Sequence, residues 1–209
     1  MTNTPPLLDH IVVATPTLET TIGEFEQATG VRPDKGGSHE SLGTRNYLVT
    51  FGGGHYLEIV GVDESLPHPN GSYPFGLDEL VAPTVSTWAI HPADADVTVA
   101  AAVEQGISLG SLAALSRRTP DGSLLEWRLT PPTAGPLPFI IDWQDSVSPA
   151  VSTKAAAELR GFSFQTNDAS TLRMQLAVLG TAIHIDSTGR TSEPCLSLEV
   201  GGPAGIWSI

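Results

Sequence analysis

The stretch Leu7–Thr15, LLDHIVVAT, decides how this chain folds. Leu8, Ile11, Val12 and Val13 are strand formers and Pro16 closes the run, so it reads as a β-strand. Side chains alternate across a strand, which puts Ile11 and Val13 on one face and His10, Val12 and Ala14 on the other. An imidazole in mid-strand, directly after Asp9, then needs an explanation from whatever lies opposite it.

Working outward, the strand is followed by TPTLETTIGEFEQATG, in which Leu18, Ile22 and Phe25 keep helical spacing and Gly30 stands at the C-terminal cap position. An irregular strand with the Gly36–Gly37 pair comes next. Two clear strands, TRNYLVTF and HYLEIVGV, are joined by the glycines at 52–54. The order is β-α-β-β-β. It recurs from VSTWAIHPADADVTVAAAVEQGI, with a hairpin around Pro120-Asp121-Gly122 and then LPFIIDWQ. A looser third copy runs from LRGFSFQTNDASTLRMQLAVLG through TAIHID, CLSLEV and GIWSI. Internal repetition is the main architectural signal. Each unit pairs one helix with its own strands, so the helix covers one sheet face and the other face lines a cleft. In HYLEIVGV, Leu57 and Ile59 take the helix side while Tyr56, Glu58 and Val60 take the other. His10 and Glu58 are thus expected in the same cleft.

Composition narrows the setting. The chain has 209 residues and a formal net charge of −13, with ten Lys plus Arg, which argues against nucleic acid or an anionic membrane as partner. One cysteine, Cys195, leaves no intrachain disulfide and fits a reducing compartment. MTNTPPLLDH has neither a basic n-region nor a long apolar run, and a cytoplasmic location is expected. The motifs of a phosphate loop and of a nucleophile elbow are absent.

LDHIVVATPTLE, GGSHESLGTRNYLV and HYLEIVG together resemble the glyoxalase-like members of the vicinal oxygen chelate superfamily, and RRTPDG…EWRL with PFIIDW resembles the second half of such a protein. The resemblance implies an α+β fold. Two βαβββ modules form a curved, cup-like mixed sheet with the helices outside, over residues 1–147. A connector at 148–158 and a third βαβββ-like half-module at 159–209 follow. It also implies that the first and fourth strands of each module are neighbours, and that metal-dependent members carry ligands there. Carried over, His10 and Glu58 become ligands for zinc, iron, manganese or nickel, with Lewis-acid chemistry on a substrate oxygen.

The second half departs from that pattern. Aligning the two modules sets Ser86 opposite His10 and Ile140 opposite Glu58, and Asp142, two residues further along the face of Ile140, is a candidate ligand contact in the cup if the register shifts. His39 would complete a two-His-one-carboxylate triad with His10 and Glu58. In a flat sheet ordered 1-4-3-2, however, it stands about 14 Å from the first strand. Three readings of the His10–Glu58 pair remain: a metal half-site, a metal-free acid/base pair, and a buried ion pair that satisfies two polar groups. Asn46 is the expected hydrogen-bond donor to a ligand, Trp88 a stacking surface on the face of Ser86, and Arg117 or, preferentially, Arg118 a clamp for an anionic group. The third module has Gly161 where the first has His10 and reads as structural. The expected protein binds a small polar molecule in its cup, as a lyase, isomerase or dioxygenase. The alternative is a sequestering protein of the kind this superfamily uses in antibiotic resistance. An odd number of βαβββ units leaves the third sheet either to pack on the cup or to pair with its twin in a homodimer, and the homodimer is the favoured expectation.

Overall fold

A computed structural model describes residues 4–69, 71–118, 122, 124–187 and 194–209. The first module comprises β1 (Leu8–Ala14), α1 (Leu18–Thr29), β2 (Asp34–His39), β3 (Thr44–Gly52) and β4 (His55–Val62). The second comprises β5 (Thr84–Ile90), α2 (Ala95–Glu104), β6 (Ala113–Arg118), β7 (Leu124–Leu129) and β8 (Phe139–Asp142). Helix α1 stops where the chain turns left-handed at Gly30, whose φ of 75° a side chain would oppose, and its N–H closes on the Glu26 carbonyl. Of the turn around Pro120-Asp121-Gly122, Pro120 and Asp121 lie outside the described residues, but β6 and β7 flank it as an antiparallel pair.

The eight strands form one sheet in the order β2-β3-β4-β1-β5-β8-β7-β6. Each module contributes four, first and fourth strands parallel and adjacent, and the two halves join where β1 runs antiparallel to β5. The sheet curls until the edge strands β2 and β6 approach one another, leaving a seam between them. One face of β1 and β4 carries Ile11, Val13, Leu57 and Ile59 into a core shared with Ile22 and Phe25 of α1. Opposite it, Val12, Ala14 and Val60 enter a separate cluster inside the cup. The alternation read from LLDHIVVAT and HYLEIVGV therefore holds.

The connector contains a short helix, α3 (Pro149–Ser152), whose Ala150 packs on Leu48 and Tyr56. Asp34 fixes the next residues by accepting the Lys154 and Ala155 N–H groups. The last unit, β9 (Glu158–Gln165), α4 (Ala169–Val178), β10 (His184–Asp186), β11 (Cys195–Gly201) and β12 (Ile206–Ser208), repeats the element order but not the pairing. Its sheet runs β10-β9-β11-β12. The strand after the helix pairs directly and in parallel with the first strand, as in a simple βαβ crossover. This second sheet lies on the helix side of the cup. Phe162 meets the edge of Trp88 at 5.5 Å and Trp207 meets Phe25 at 5.2 Å, so its apolar face is covered within the chain.

Candidate functional site

His10 and Glu58 project into the cup together, because β1 and β4 are neighbours and register sets His10 beside Tyr56 and Val12 beside Glu58. Both are buried, at 4% and 8% exposure. The His10 ring stacks on Tyr56 with centroids 4.8 Å apart and meets Phe139 edge-on at 5.3 Å. Its Nδ1 lies 2.6 Å from Asp9 Oδ1, and the other Asp9 oxygen accepts the Trp143 indole N–H at 2.9 Å. An ionised carboxylate can only accept, so Nδ1 carries the proton and Nε2 faces the cup. Glu58 Oε2 stands 3.7 Å from that Nε2. The second Glu58 oxygen accepts from Asn46 Nδ2 at 2.6 Å, while Asn46 Oδ1 accepts the Gly37 N–H at 2.8 Å.

The last two contacts leave one orientation of the Asn46 amide, since the Gly37 N–H requires an acceptor. They also explain Gly36. A Cβ there would sit 2.0 Å from Asn46 Oδ1, so only glycine lets β2 come this close. The result is a buried chain from Trp143 and Asp9 through His10 to Glu58, Asn46 and the edge strand. The phenol of Tyr56 is held well above its ordinary range by burial, with Asp9 and Glu58 adding to the effect and Arg117 opposing it, so the ring stays neutral beside His10.

The second half supplies no matching donors, and two expected residues lie elsewhere. A bulge in β5 pairs Val12 with Thr87 but Val13 with Val85, which skips Ser86 and reverses the faces read from the sequence. Thr87 and Ala89 are thus the cup-facing residues, whereas Trp88 is fully buried on the helix side, with Nε1 donating to the Pro136 carbonyl at 2.8 Å. Trp88 is a core residue, not a ligand platform. On β8, Phe139 and Ile141 enter the cup and Ile140 the helix-side core. Asp142 shares the side of Ile140 and is bound by Arg128 at 2.6 Å, which also holds Asp96 of α2. An Asp142 role in the cup is thereby corrected to a surface ion pair.

His39 Nδ1 contacts Thr44 Oγ1 at 3.1 Å, and no triad with His10 and Glu58 forms. The imidazole is nevertheless within electrostatic reach of the cup. Burial holds it below 6.5, Glu58 raises it and Arg117 lowers it further. The side chain of Arg118 lies outside the described residues. Among the described residues no group of three or more His, Cys, Asp and Glu could hold a metal. His10 Nε2 and Glu58 Oε2 are two donors where a tight site takes three or four, and the positions across from them carry Thr87, Phe139 and Ile141. The residues present do not fit the metal centre the resemblance implied.

A family model described as a glyoxalase-like domain matches residues 8–180, from β1 to the end of α4. The chain belongs to the glyoxalase-like domain family. No curated protein sequence matches it. A hypothetical protein from Staphylococcus aureus shares the fold, at 14% identity over 97% of this chain and 84% of that one, with a TM-score of 0.62. Partial likenesses include methylmalonyl-CoA epimerase from Mycobacterium tuberculosis, at 20% identity over 58% and 77% of the two chains and a TM-score of 0.37. Another is a mutant of 4-hydroxymandelate synthase from Streptomyces coelicolor, at 19% identity over 70% and 54% and a TM-score of 0.47.

In this glyoxalase-like domain a cavity of about 1030 Å³ opens along the seam, lined by Lys35, Ser38, Arg45, Asn46, Arg117 and Glu126 among others. Asn46 is the link between that cavity and Glu58, which together with His10 lies behind the lining. One site residue, Asp9, escapes sequence reasoning, and for Arg117 the sequence offers two alternatives. Asp9 was visible only as the neighbour of His10, and its role depends on Trp143 arriving from β8. Arg117 was weighed with Arg118, and only the register of the β6–β7 hairpin assigns it to the cavity. No helix among the described residues is long and apolar enough to cross a membrane.

Proposed function

We propose that this glyoxalase-like domain binds a small polar organic molecule through the seam of its cup and moves a proton on it, with Glu58 as general base. The observation that carries this reading is the Asp9–His10–Glu58–Asn46 chain. Asp9 fixes the tautomer of His10, Asn46 aims the Glu58 carboxylate by donating to it, and the rings of Tyr56 and Phe139 hold the imidazole in place. Such a base, held in position, contributes about 10²–10⁴-fold to a proton-transfer rate. His10 Nε2 is placed to share or return that proton. With only two donors in place, no step of this reading runs through zinc, iron, manganese or nickel.

A second reading is a binding or sequestering protein. The apolar second half favours it, since Phe139, Ile141, Trp127 and Trp143 form a wall with no chemistry of its own. The test that separates them is solvent-deuterium exchange, followed by NMR, into carbonyl compounds bearing an exchangeable α-proton. Protein-dependent exchange that falls about 10²-fold or more in Glu58→Gln supports proton transfer. Ligand binding without exchange in the wild type leaves the sequestering reading. Elemental analysis of the same samples decides the metal: a stoichiometric ion lost in His10→Ala would overturn the metal-free account.

A further inference from the structure

Arg117 is a buried cation that closes no ion pair with any described residue. It is 8% exposed, and its Nη1 is shielded from solvent without a hydrogen-bond partner among the described residues. A guanidinium in that state is costly unless something arrives to balance it. Its field lowers Tyr56 and His39 while that of Glu58 raises both, yet Glu58 is held by Asn46 and makes no ion pair with Arg117.

The other charges of the cavity do not supply the missing partner. Arg45 is tied to Glu19 at 3.1 Å. The Asp63 carboxylate is taken by the Ser38 and Ser65 hydroxyls, both at 2.6 Å. Glu40 and Glu126 line the cavity and are exposed to solvent.

We propose that Arg117 is the anion-binding residue of the seam cavity and that the natural ligand carries one carboxylate. This rests on the reading of the cup as a small-molecule site and names the ligand class, but it does not require Glu58 to be catalytic. The planar fork of a guanidinium matches a carboxylate through two parallel N–H···O bonds. The lining sets three cations, Lys35, Arg45 and Arg117, against three carboxylates, Glu40, Asp63 and Glu126, and in a chain of net charge −13 that balance favours a single charge over a dianion. With its carboxylate on Arg117, the rest of the ligand extends toward Asn46, the residue that holds Glu58.

Calorimetric titration of the full chain with acetate, pyruvate and benzoate, against malonate and inorganic phosphate, tests the proposal. At least one monocarboxylate should bind the wild type more tightly than either polyanion, and Arg117→Met should weaken it tenfold or more. Glu58→Gln should bind it as well as the wild type or better, so loss of proton exchange in that variant cannot be confused with loss of binding. Ligand-free Arg117→Met should melt at or above the wild-type Tm, because an unbalanced buried charge has been removed. Should Arg117→Met fail to fold, Arg117→Lys keeps the charge but not the fork and should still lose about tenfold. Binding of none of the five probes, preference for phosphate or malonate, or unchanged monocarboxylate affinity in the Arg117 variants would each overturn it. So would a well-folded Arg117→Met that melts far below the wild type, since that would make Arg117 structural.

Discussion

The two halves of the cup have the same strand order and opposite chemistry. In the first, β1 and β4 deliver His10, Tyr56 and Glu58, and β3 delivers Asn46, with His10 stacked on Tyr56 and Asn46 hydrogen-bonded to Glu58. In the second, the corresponding inward positions hold Thr87, Ala89, Phe139 and Ile141, backed by Trp127 and Trp143. A scaffold of two like modules carries one polar wall at β1 and β4 and one packed wall at β5 and β8, with Arg117 of the second half standing at the seam on edge strand β6. The difference teaches that a shared backbone does not oblige two modules to share a task. What it obliges is filling: the inward positions of β5 and β8 are closed by Ala89, Phe139 and Ile141 packed with Trp127 and Trp143.

The sharpest way to break this contrast is to thin the packed wall. Phe139→Ala should cost about 3–5 kcal/mol in denaturant unfolding if Phe139 is core. A loss under about 1 kcal/mol would mean that the second half also lines open space. A smaller effect of opposite sign is expected at Thr87. Its hydroxyl is buried without a partner among the described residues, so Thr87→Val should stabilise the chain by about 1 kcal/mol and leave ligand affinity unchanged. A ligand-binding defect in that variant would instead assign the hydroxyl to the polar wall. The smallest effect concerns His39. Its folded value lies below 6.5, so the neutral form is favoured in the fold and the stability it contributes is complete above that pH. That contribution is lost as pH falls through the folded value. An NMR titration should place the His39 midpoint below 6.5, move it lower in Glu58→Gln and higher in Arg117→Met, following the signs of those two charges.

Much of the polar wall was legible before any coordinates. Strict alternation in LLDHIVVAT and HYLEIVGV assigns His10 and Glu58 to one face, and regular pairing of β1 with β4 preserves that assignment. The packed wall was not legible, because one skipped residue in β5 reverses parity. Nothing in VSTWAI marks a bulge at Ser86, yet it carries Trp88 from the cup to the core. Asp142 failed for a related reason, since the register of β8 sends it toward Arg128 and α2. His39 was judged against a flat sheet, and curvature brings it within the influence of Glu58 although it joins no cluster. The third unit shows the limit of reading element order alone. Its β-α-β-β-β sequence is visible, but which strands become neighbours depends on what the sheet must cover.

That covering sheet also limits how the molecule can be approached. Above β5 and alongside α1 the outer surface is closed, with Trp88 and Phe25 sealed under Phe162 and Trp207. The rim of the cup and the free side of α2, where Val97 and Val103 stand 63% and 64% exposed, stay open to a neighbour, whether a second copy or another protein. The rim holds the mouth of the seam cavity. Assembly through that side would therefore gate entry, and assembly through α2 would leave it open.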